Sequence, residues 1–229
     1  MLADQYDIVF NVGAETNADP SEGFATISGL GLSTTNMDGD SVYMITVNNS
    51  GATPVVSNVT QIASGLRNPA GLVFHPVTGD LYFEDNGIDG IPPADANEPT
   101  SADELNVIAF EDIRYSSSDP KPVPNFGFPD NYVQYRTGVE IGSGGVDPLV
   151  TFQPIPAPNG AESEGPSQIA LAPMYYPEGL NNGIFVTFHG RNRTASGQPA
   201  TGLTNEENPV VFYNLDTGEY FHFVGNDIE

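Results

Sequence analysis

Arg67 is the only cation in the first 113 residues of a chain that carries 30 aspartates and glutamates. It sits in Gly65-Leu66-Arg67-Asn68-Pro69, and a charge this rare in acidic surroundings implies a specific anionic partner. The competing reading is structural: an arginine that pins neighbouring loops through backbone carbonyls, with Asn68 as the turn residue before proline. Downstream, Asp85-Asn86-Gly87-Ile88-Asp89-Gly90 is dense in oxygen ligands. It begins like an EF-hand, but position 12 would be Ala96, so that motif fails; a calcium site of other geometry or an Asx-rich turn remains. Asp103-Glu104 and Asp38-Gly39-Asp40 carry the same pair of readings. His189, Arg191 and Arg193 form a second cationic group, either contacting an anion or capping nearby carboxylates. His75, in Phe74-His75-Pro76, reads as a surface turn residue. His222 alternates with Tyr220 and reads as packing or solvent-facing.

The elements that must position these residues are short strands. Gly71 to Phe74 and Leu81 to Phe83 flank Pro76-Val77-Thr78-Gly79-Asp80, where proline fixes φ and glycine accepts a positive one, so the stretch predicts a β-hairpin. The same plan returns in Gly165 to Pro173 and Asn182 to Gly190, and Asp7 to Gly13 matches the second half of an earlier copy. Further strands are expected at Phe24 to Ile27, Ser41 to Val47, Val55 to Ile62, Asp103 to Phe110, Leu149 to Phe152, Val210 to Leu215 and Tyr220 to Val224. No segment holds a 3.6-residue period over three turns, so the chain is predicted to be all-β. Residues 116–168 are rich in Pro, Gly and Ser and read as a long, loop-rich insertion. Degenerate hairpin repeats are the signature of a β-propeller.

Composition bounds the rest. With 229 residues and a formal charge of -24, the chain can bury a sizeable core but offers no basic surface, which argues against nucleic acid. The acidity reads as a hydrated, salt-tolerant coat or in part as cation sites. There are no cysteines, so disulfides are excluded. No apolar run approaches the ~18 residues of a membrane span, and Met1-Leu2-Ala3-Asp4 lacks the basic start of a signal peptide.

The chain resembles the glucose/sorbosone dehydrogenase family, soluble quinoproteins built on a six-bladed propeller. The resemblance rests on Gly65 to Leu72 with its Thr78-Gly79-Asp80-Leu81-Tyr82 hairpin, Asp103-Glu104-Leu105-Asn106, Asn125-Phe126-Gly127-Phe128-Pro129, and Phe185 to Arg193, in the family's order. It implies pyrroloquinoline quinone (PQQ) contacted by Arg67 and Asn68, with His189 or Arg191 as a further contact. It also implies calcium held through backbone carbonyls at Gly87 and Ile88. An aldose or aldehyde would be the substrate, oxidised by hydride transfer to the quinone, and the location periplasmic or extracellular. The family's catalytic histidine precedes the strand matching Asp7 to Gly13. This chain has none before His75, so the catalytic base is unknown, and Ala70 stands where the family often has glutamine. The expected unit is one partial propeller domain over 1–229, about three blades, truncated at both ends relative to the family. The alternative is a non-catalytic extracellular propeller that binds a glycan or protein.

Overall fold

The computed structural model describes residues 4–19, 24–90, 99–190 and 209–225. Among them β1 (Gln5–Val12) is followed by a hairpin of β2 (Phe24–Gly29) and β3 (Leu32–Asp38), then by β4 (Ser41–Asn48) and β5 (Val55–Ala63). Strands β1, β4 and β5 form one antiparallel sheet in that order. A second sheet has the order β6-β7-β8-β11, from β6 (Pro69–Phe74), β7 (Leu81–Asp85), β8 (Asp103–Ile108) and β11 (Val150–Phe152). Between β8 and β11 the chain makes one 3-10 turn, Phe110–Asp112, and the two-residue strands β9 (Tyr132–Val133) and β10 (Glu140–Ile141). The third sheet runs β12 (Pro166–Leu171), β13 (Gly183–Phe188), β14 (Val210–Asn214) and β15 (Tyr220–Val224) in sequence order.

The sheets stack face to face, each burying apolar side chains against the next. Val42, Met44 and Ile62 of the first sheet meet Leu81, Phe83 and Ile108 of the second. On the opposite face of the second sheet, Tyr82 and Leu105 meet Ile169, Ile184, Val186 and Val211 of the third. Strand β7 is buried along its whole length because its period-two alternation feeds both cores, Leu81 and Phe83 one way and Tyr82 the other. Each such apolar side chain contributes about 1.5–3 kcal/mol by leaving water. The strands β6 and β12 lie side by side, and β1 also approaches β6. This is the all-β, propeller-like arrangement that the repeats predict, with β1, β7 and β13 as equivalent second strands. Among the described residues the first sheet has no counterpart of β6 and β12.

Two strand expectations need correction. No strand is predicted at Leu32–Asp38, yet β3 forms there. Ser33, Thr34 and Asn36 are exposed, Met37 is its one buried side chain, and pairing with β2 holds it in place. Within 116–168, β9 and β10 join the one expected strand; their pairing is too short to leave a sequence pattern.

Candidate functional site

Five loop ends meet beside the inner strands. They follow β7 and β13 and precede β6, β8 and β12. Their meeting point is a cleft of about 140 Å³, lined by Arg67, Asn68, Asn86, Gly87, Asp89, Pro99, Asp103, Glu164, Gly165, His189 and Gly190. Four of the six residues that the family resemblance assigns to cofactor or metal therefore share one cavity: Arg67, Asn68, Gly87 and His189. Arg191 lies outside the described residues.

Two buried carboxylates hold these loops. Asp85, at the end of β7, accepts the backbone N–H groups of Arg67 (2.9 Å) and Asn68 (2.7 Å), one on each oxygen. Asp103, at the start of β8, accepts Gly87 N–H (2.7 Å) and Gly165 N–H (2.8 Å) in the same way, joining the second sheet to the third. The Asn86 side-chain amide donates to the carbonyls of Asn68 and Pro166. Burial outweighs these hydrogen bonds, pushing Asp85 up to about 7 and Asp103 up to about 6. Each oxygen of the two carboxylates thus accepts one backbone N–H. Among the described residues no group of three or more His, Cys, Asp or Glu side chains could hold a metal ion. Asp38-Gly39-Asp40, Asp85 to Gly90 and Asp103-Glu104 therefore belong to no such group.

The Arg67 guanidinium does what its structural reading describes, and it also lines the cleft. It donates to Asn17 through the carbonyl (3.3 Å) and side-chain oxygen (2.9 Å), and pairs with Asp89 at 2.6 Å. Asn17 in turn accepts Asp89 N–H and donates to the Asp89 carbonyl. Asn68 is exposed at the rim. His189 is exposed as well, and its backbone N–H donates to Gly165 O at 2.9 Å. Gly165 adopts φ +66, and a Cβ there would overlap the His189 imidazole, so glycine is what lets the ring lie across this loop.

Ile88 is the expected ligand that the geometry turns away. Its side chain is buried, and its carbonyl accepts both Thr100 N–H (2.7 Å) and Ser101 N–H (3.2 Å), which uses its two lone pairs within the loop. His75 lies in the hairpin turn, where Nδ1 accepts Thr78 N–H at 3.1 Å, and does not line the cleft. His222 is half-buried in β15, and burial lowers its pKa. Sequence reasoning did not single out Asn17 or Glu164 for this site. Asn17 carries no local signal, because its partners Arg67 and Asp89 are 50 and 72 residues away.

Known proteins add the fold. No family model matches the chain. Over 73 residues it is 38% identical to an uncharacterized protein of Borreliella burgdorferi, a match covering 29% of this chain and 17% of that protein. Two solved structures are similar over 97% of the chain: the calcium and iodide structures of Trichoderma reesei carbohydrate-active enzymes family AA12. Their TM-scores are 0.55 and 0.52, with 17% and 18% sequence identity. The likeness is one of fold. The chain spans about half of each of these structures, 55% and 54%. No helix among the described residues is long and apolar enough to cross a membrane.

Proposed function

We propose that the cleft is a site for a planar, carboxylate-bearing quinone, and that the protein is a PQQ-dependent oxidoreductase acting on aldoses or aldehydes, in the manner of the glucose/sorbosone dehydrogenase family. The observation that carries this reading is the meeting of Arg67 and Asn68, from the loop before β6, with His189, from the loop after β13, on one cavity. Their donor set suits such a ligand: an exposed amide, an exposed imidazole and a guanidinium able to grip a carboxylate through two parallel N–H groups. When bound, the quinone would supply the two-electron acceptor for oxidation of a sugar or aldehyde. The chain's own part is to bind and orient. Asp85 fixes the backbone of Arg67 and Asn68, and Asp103 fixes Gly87 and Gly165. The residues here fit calcium less well, since Ile88 is committed elsewhere and no side-chain cluster among the described residues replaces it; no step is assigned to a metal. No catalytic base is assigned. A periplasmic or extracellular location belongs to this proposal.

The second reading, a non-catalytic propeller binding a glycan or protein, draws on the Arg67–Asp89 pair. Its guanidinium is already neutralised, and a ligand carboxylate must displace Asp89 to gain the full fork. Equilibrium titration with PQQ, with and without calcium, separates the two. Saturable binding weakened about tenfold or more in Arg67→Ala is the expected result, equal to losing one charge-assisted contact. A folded protein that binds no quinone, or binds it equally well without Arg67, removes the oxidoreductase reading.

A further inference from the structure

A second, larger cavity lies on the outer side of the second sheet. It measures about 470 Å³, within the range of small-molecule sites, and opens between β8–β11 and the segment carrying β9 and β10. Its wall is pre-built. Val146 N–H donates to Asn125 O (2.8 Å), Ala102 N–H to Val133 O (2.8 Å), and the Gln153 side chain to Gln134 O (3.2 Å). Among the described residues three acids line it, Glu104 from β8, Glu140 from β10 and Asp147, together with the rings of Tyr132 and Phe126, and no Lys, Arg or His does.

Nothing described nearby neutralises those acids. Arg67 is paired with Asp89 and Arg136 with Glu162. Lys121 donates to Ile113 O, and Arg114 to the carbonyls of Gln61, Ser117 and Asp119. Glu104 is the innermost of the three, half-buried, and accepts a long hydrogen bond, 3.3 Å, from the Asn106 amide. Burial first, and then the Asp85 carboxylate on the neighbouring strand, push Glu104 up to about 8. A cation entering the cavity would reverse that balance by favouring the ionised carboxylate, while the aromatic rings suit a positive charge carried on a carbon body.

We propose that this cavity binds a small organic cation, a primary ammonium on a polar or apolar body, with Glu104 as its principal counter-ion. The site is separate from the cleft, and the proposal does not depend on the quinone reading. A test uses glucosamine and its neutral isostere glucose as probes, by calorimetry on the whole chain near pH 7 in two buffers of different ionisation enthalpy. Glucosamine is expected to bind at least about tenfold more tightly than glucose, since one desolvated ion pair is worth about that factor. Binding is expected to release protons to the buffer, because Glu104 ionises against the ammonium. Glu104→Gln should weaken glucosamine about tenfold and abolish the release. Glu140→Gln, at an exposed position, should weaken binding more mildly without risk to folding. Equal affinity for glucose, proton release unchanged in folded Glu104→Gln, displacement of glucosamine by micromolar calcium, or no glucosamine binding by folded protein would each overturn the proposal.

Discussion

Glu84 is the residue whose chemistry is least reconciled with its surroundings. It is fully buried, and neither carboxylate oxygen has a hydrogen-bond partner. Burial, followed by repulsion from Asp103, pushes its pKa up to about 9. The folded protein therefore holds a proton that the unfolded chain gives up above about pH 4.5, and Glu104, Asp85 and Asp103 act in the same direction. Stability from these groups is fully present below their unfolded pKa values and is lost as pH rises through the folded ones. Urea midpoints are thus expected to fall between pH 5 and pH 9, and Glu84→Gln should flatten the upper part of the profile. A midpoint that rises over this range would show that these carboxyls ionise freely in the folded state.

At the level of elements, the second sheet couples the other two, and Asp103 is one of its fastenings. Asp103→Ala leaves the Gly87 and Gly165 N–H groups without their acceptor and is expected to cost about 2 kcal/mol in denaturant unfolding. Hydrogen exchange should quicken at those two amides and leave β4 and β5 unchanged. Strands were legible wherever turn residues bracketed an apolar run: Leu81 to Phe83, Ile184 to Val186 and Val42 to Val47 all declare themselves. Leu32–Asp38 did not, because a strand that buries only Met37 leaves no apolar period. The site was half legible. Arg67 stood out through scarcity of charge, and His189 through its place in the repeated hairpin. Asp85 and Asp103 read equally as metal ligands or turn residues, because a sequence does not reveal that a carboxylate accepts backbone N–H groups from separate loops.

For the molecule as a whole, charge and shape work against each other. A net charge of -24 means that the folded chain concentrates repulsion that the unfolded chain spreads out. Raising sodium chloride from 0.05 to 1 M shortens the Debye length from about 14 to 3 Å and is expected to raise the urea midpoint; no change would mean that the acidic surface is already balanced. The stacked sheets leave their outermost faces apolar: Phe221 and Phe223 on the third sheet, Tyr6 and Ile8 on the first, each about 40% exposed. Behind Phe221 and Phe223, Phe185 and Phe212 continue the aromatic cluster. Between those faces the loop ends converge, and the account stands on that convergence. Its most direct measurement is histidine footprinting by acylation and mass spectrometry, with and without PQQ, since the three histidines occupy three places in the fold. The quinone should protect His189 at the cleft while His75, in its distant turn, reacts at an unchanged rate. Unchanged reactivity of His189 in a quinone-saturated protein, or equal protection of His75, would contradict it.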